Sequence, residues 1–109
     1  MYSNTDIEKL LDIIKRNSEG ILNRILLFGS YANNTQRDDS DLDIAIITDN
    51  CLDRKEKHNI LNKLWWESSS NGFSVDFIIK SLVDFEAERD LPTLSKTISS
   101  EGVILWQKS

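Results

Sequence analysis

Two short apolar runs, Ile21–Phe28 and Leu42–Thr48, constrain this chain more than any other feature. Each is rich in Ile and Leu, holds neither glycine nor proline, and stops at a turn signal: Gly29-Ser30 after the first, Asp49-Asn50 after the second. Their length suits strands, because helices usually need ten or more residues, and it falls far short of the roughly 20 that cross a bilayer. Periodicity alone would also allow a short helix for the first run. Read as buried strands, both runs demand covering elements on the two faces of a sheet.

The rest of the chain supplies them. Thr5-Asp6-Ile7-Glu8 reads as a capping box opening a helix whose inner stripe is Ile7, Leu10, Leu11 and Ile14, with Gly20 as its stop. Ser30 to Ala32 begins a helical turn, and residues 33–40 are polar and loop-like. Residues 52–68 are helical in composition, with Leu61, Leu64 and Trp65 facing inward, and Gly72 breaks the helix. Phe73 to Lys80 is β-branched and aromatic, a third strand. Ser81-Leu82-Val83-Asp84 again resembles a capping box, Pro92 restarts a helix carrying Leu94 and Ile98, and Gly102 precedes a last short strand, Val103 to Trp106. The order α-β-α-β-α-β-α-α-β predicts an α/β (α+β) fold, a mixed sheet flanked by helices. The 109 residues are the length of one domain, 1–109.

Eighteen acids against thirteen bases leave a net charge of −5, which argues against direct nucleic-acid or membrane-surface binding. The lone Cys51 excludes an internal disulfide and a multi-cysteine zinc site, and the N-terminus lacks a basic and apolar leader. Both fit a cytoplasmic protein.

One constellation carries chemistry. Gly29-Ser30 ends the first strand, ten residues follow, and Asp41-Leu42-Asp43 opens the second. Residues i and i+2 of a strand share a face, so Asp41 and Asp43 aim two carboxylates at one spot. Such a pair repels itself unless a proton or a divalent cation intervenes, and magnesium prefers carboxylate oxygens and substrate phosphates. Asp76 sits among the apolar residues of the third strand, where an isolated acid is costly unless paired or metal-bound. If the third strand neighbours the second, the three acids can bridge two metals that clamp an in-line displacement. Gly29 permits close backbone approach, and Ser30 at the start of a helical turn offers a hydroxyl and N–H groups to an anion. The competing reading makes Asp41 and Asp43 surface loop acids beside Asp38 and Asp39.

These residues resemble the minimal nucleotidyltransferase family, within the DNA polymerase beta-like nucleotidyltransferase superfamily. The resemblance rests on Leu27-Phe28-Gly29-Ser30-Tyr31-Ala32, Ser40-Asp41-Leu42-Asp43, Val75-Asp76-Phe77 and the ending Glu101-Gly102-Val103-Ile104-Leu105-Trp106. It implies the nucleotidyltransferase fold, two Mg2+ ions and ATP as substrate. Asp41, Asp43 and Asp76 would be the metal ligands, Asp76 also the activator of the incoming hydroxyl, and Gly29 and Ser30 phosphate contacts. Ala32-Asn33-Asn34 stands where many relatives have Ala-Arg-Gly, removing a basic residue that Arg37 would replace. Tyr31 would flank the nucleotide or be ordinary wall. Small members of the family pair with a HEPN-type RNase toxin, and the resemblance implies an antitoxin that adds AMP to a tyrosine of that partner. With no length left for an acceptor-holding domain, the expected acceptor is either small and loosely held or a protein that brings its own docking surface. Two other readings stay open: a non-catalytic module that silences its partner by binding, and a transferase acting on a small hydroxylated molecule such as an aminoglycoside.

Other conspicuous residues have plainer readings. His58, in Arg54-Lys55-Glu56-Lys57-His58, reads as a solvated helix residue, Cys51 as an inert small residue, and Trp106 as strand packing. Trp66 lies about 100° off the stripe of its helix, at the edge of the core or on a partner surface.

Overall fold

A computed structural model of the chain describes residues 3–29, 41–88 and 102–108. The elements run α1 (Asn4–Asn17), β1 (Leu22–Phe28), β2 (Leu42–Thr48), α2 (Arg54–Ser70), β3 (Val75–Ser81), α3 (Leu82–Glu88) and β4 (Val103–Gln107). The helical turn expected at Ser30–Ala32 and the helix expected after Pro92 lie outside the described residues.

Helix α1 starts two residues earlier than the Thr5-to-Glu8 pattern suggests. Ser3 is its N-cap: the Ser3 hydroxyl accepts from the Asp6 N–H at 3.2 Å, and the Ser3 N–H donates to the Asp6 carboxylate at 3.0 Å. Both tetrads satisfy the capping-box rule, and the earlier one adds helical residues at no cost in caps. Leu10, Ile13 and Ile14 are its buried stripe, with Ile7 and Leu11 packed at the margin.

The four strands lie in the order β3-β2-β1-β4. β1 is antiparallel to both β2 and β4, whereas β2 and β3 are parallel. A parallel pair needs a crossover, and α2 is that crossover. Central β2 separates two apolar layers by simple alternation. Leu42, Ile44 and Ile46 join Leu10, Ile13, Ile14 and Leu64 from α1 and α2. Ala45 and Ile47 turn the other way and meet Leu26, Phe28 and Phe85 of α3. Asp41 and Asp43 therefore continue the odd-numbered row, on the face that α3 covers farther along the strand.

Helix α2 departs from the expected stripe. Leu64 is fully buried and Leu61 half-buried, but Trp65 is 57% exposed and Trp66 67%. Trp65 stands about 100° around from Leu64, past the margin that Leu61 marks. The inward place goes to Ser68, whose hydroxyl donates to the Leu64 carbonyl at 2.7 Å. A small residue there lets α2 lie close to α1, where Glu67 accepts from Asn17 at 3.0 Å and pairs with Arg16 at 3.1 Å.

Candidate active site

The sheet register assembles the site. Asp43 lies opposite Phe28 of β1 on one side and opposite Asp76 of β3 on the other. Partners across a ladder share a face, so the end of β1, Asp43 and Asp76 form a row across three adjacent strands. Gly29 finishes β1 with φ +75°, and a Cβ built there would overlap the Asp43 carboxylate. Glycine is thus required twice at this position, for its left-handed backbone and for the space Asp43 fills.

Asp41 precedes β2 and is exposed. Its carboxylate accepts a short hydrogen bond from the Ser74 hydroxyl, while the Leu42 N–H donates to the Ser74 carbonyl at 3.0 Å. Ser74 thereby pins the start of β2 to the start of β3. The sequence reading missed it, and a polar residue just ahead of a strand carries no distinguishing signal.

Burial pushes the Asp43 carboxyl above the ordinary carboxylate range, and the charges of Asp76 and Asp41 push it further. This is the mutual repulsion expected of neighbouring acids, which a bound cation would relieve. The donor set, three carboxylates, suits a hard divalent ion such as magnesium. Among the described residues no three acidic, thiol or imidazole groups converge on a point as a ready metal cage, and the Asp41 carboxylate is turned to Ser74. Asp76 is exposed on an edge strand, so the burial cost that made it conspicuous in the sequence does not apply; its register with Asp43 does. Ser30, Tyr31 and Arg37, the other candidate nucleotide contacts, lie outside the described residues, as do Asp38 and Asp39.

On the opposite, α2-covered face of the sheet, a groove of about 370 Å³ reaches β3 at Asp76, walled by His58, Leu61, Asn62 and Trp65 of α2 and by Val75, Asp76 and Phe77 of β3. A separate cavity of about 380 Å³ lies at the far end of the sheet, among Lys15, Leu22, Asp49, Trp106 and Lys108, and no candidate site residue lines it. There Trp106 packs against the core with Lys15 5.6 Å above its ring, as strand packing predicts. His58 is exposed on α2 as expected, and exposed Cys51 places its sulfur 3.4 Å from the Ser81 hydroxyl.

The family described as polymerase beta, nucleotidyltransferase, matches residues 8–109. The chain belongs to the polymerase beta nucleotidyltransferase family. No curated protein matches it. Among solved structures, this nucleotidyltransferase is similar to a toxin–antitoxin structure with AMP-PNP, at 27% identity and TM-score 0.62, over 94% of this chain and 74% of that one. It is also similar to a mutant of the toxin–antitoxin MntA-HpeT, at 25% identity and TM-score 0.59, over 99% of this chain and 75% of that one. A third likeness, to a structure of a tri-AMPylated Shewanella oneidensis HEPN toxin in complex with MNT antitoxin, stands at 24% identity and TM-score 0.56. It covers 93% of this chain and 69% of that one and is a likeness of fold. Among the described residues no helix is long and apolar enough to cross a membrane.

Proposed function

We propose that this nucleotidyltransferase transfers AMP from ATP to a hydroxyl of a HEPN-type toxin and so acts as its antitoxin. The row of Gly29, Asp43 and Asp76 across adjacent strands carries the reading. The similarity to a toxin–antitoxin structure with AMP-PNP supports the choice of nucleotide and partner.

Each residue has a definite task. Gly29 keeps the turn after β1 free of side chain, so a phosphate can lie against main chain beside Asp43. Asp41, Asp43 and Asp76 would hold magnesium, two ions in the full site, and the mutual repulsion at Asp43 gives that binding its driving force. Magnesium, when bound, neutralises charge on the triphosphate and on the leaving pyrophosphate. The Asp76 carboxylate, exposed at the end of the row, accepts the proton of the incoming hydroxyl. The hydroxyl oxygen bonds to the α-phosphorus, the bond from that phosphorus to the bridging oxygen breaks, and pyrophosphate leaves. Ser30, Tyr31 and Arg37 complete the nucleotide contacts, and the protein works in the cytoplasm.

The test combines the purified chain, magnesium, labelled ATP and the purified product of the neighbouring reading frame. Label is expected on that protein and is expected to vanish when Asp41 and Asp43 both become Asn. Silencing of the partner by the unlabelling double variant would instead establish inhibition by binding. Label appearing only on added aminoglycosides would replace the protein acceptor with a small molecule.

A further inference from the structure

We infer that the groove between α2 and the open edge of β3 is the docking surface for an extended, acid-bearing segment of the partner protein, the segment that delivers the acceptor hydroxyl. This rests on the reading of the chain as a protein-modifying transferase.

The order of the row decides the side of approach. An in-line displacement needs the attacking and leaving oxygens on opposite sides of phosphorus. The glycine turn that accommodates phosphate stands on β1, Asp43 on β2 and Asp76 on β3. With the leaving group toward β1, the attacking hydroxyl enters from beyond β3. No described strand lies there, since β3 ends the sheet. The bond from the Leu42 N–H to the Ser74 carbonyl sets the ladder, so even-numbered residues of β3 face β2 with their main chain. Val75, Phe77 and Ile79 turn their N–H and C=O groups to the outer edge, where no described strand pairs with them, a template for one more strand.

Beside that edge the groove offers the side-chain pockets such a strand needs. Leu61 and Phe77 form its apolar floor, Trp65 stands over it, and His58 and Asn62 supply polar contacts. It meets β3 at Asp76 on the face opposite the acid row, so a strand paired to this edge sends alternate side chains into the groove and the residues between them toward the Asp76 carboxylate. Trp65 is 57% exposed, costly for an indole unless something covers it. The groove continues past His58 and Leu61 to Arg54 and Lys57. In a chain of net charge −5 this first turn and a half of α2, Arg54-Lys55-Glu56-Lys57-His58, is locally basic, which selects an occupant with acidic residues.

The test uses the full chain with Trp65→Ala, His58→Glu and, as a control outside the groove, Glu8→Ala on the exposed side of α1, each checked for an unchanged melting temperature. Steady-state labelling with the purified neighbouring-frame protein is expected to show KM for that protein raised tenfold or more by Trp65→Ala and by His58→Glu. Values of kcat and KM for ATP should stay within twofold, and Glu8→Ala should match the parent. Parent-like KM for the protein acceptor in both groove variants would overturn the docking surface while leaving the transfer reaction in place. If the parent chain transfers nothing, the transferase reading fails separately. Titration calorimetry with the same protein then decides the surface: tenfold weaker binding by both groove variants upholds it, and equal Kd values overturn it.

Discussion

A single methyl group at position 29 tests how the site is built. Gly29→Ala carries two separable costs. An L-residue held at φ +75° loses about 1–2 kcal/mol to the clash of Cβ with its own backbone. Gly20 and Gly72 share that conformation, at φ +86° and +85°, but a Cβ on either meets nothing within 4 Å, so Gly20→Ala and Gly72→Ala measure the backbone cost alone. At Gly29 the new Cβ must also evict the Asp43 carboxylate, and an off-rotamer side chain adds about 0.5–1.5 kcal/mol. The expected total for Gly29→Ala is about 1.5–3.5 kcal/mol, against about 1–2 for the controls. In a domain of this size each 1 kcal/mol moves Tm by about 4–8 °C, so thermal or urea unfolding resolves the excess. Adding Asp43→Ala to Gly29→Ala should recover the excess and leave the backbone cost, a coupling that a double-mutant cycle reads directly. Equal destabilisation at all three glycines, or no recovery in the double variant, would refute the packing of Asp43 into the space that Gly29 leaves.

Two acids should respond to pH in opposite senses. Asp43 has its carboxyl raised by burial and by Asp76 and Asp41, so its ionised form opposes folding. In the metal-free chain Asp43→Asn should therefore be the more stable protein at neutral pH, by at most about 1 kcal/mol given solvent screening, with the advantage closing as pH falls through the raised value toward the ordinary carboxylate value. Asp49 is lowered by hydrogen bonds from Lys108, at 2.7 Å, and Asn23, at 2.9 Å. Its stabilisation is present above the ordinary carboxylate value and lost as pH drops through the lowered one, and urea midpoints across pH 2–6 should show this loss in the parent and not in Asp49→Asn.

How much of this was legible in the residues depends on whether a local rule or a tertiary choice decided each point. β2 was readable to the residue, because a strand buried on both faces leaves an unbroken apolar run between turn signals. The shared face of Asp41 and Asp43 followed from alternation alone. That Asp76 lies beside Asp43 is a different kind of fact: it needs α2 to return the chain parallel to β2 in one register, and no spacing within either strand specifies that. Asp76 was found because a charge among β-branched residues stands out, yet its exposure shows that the cost of burial is not what it signals. An acid on an edge strand can remain solvated and still sit one strand from the half-buried Asp43. The same edge explains Trp65. Hydrophobicity assigned it to the core, but the stripe of α2 that packs on the sheet is narrower than its run of apolar residues, and Ser68 takes the inward place. Both misjudged burials, of Asp76 and of Trp65, thus fall toward the outer side of β3, where no described strand continues the sheet and the rules of core packing stop applying.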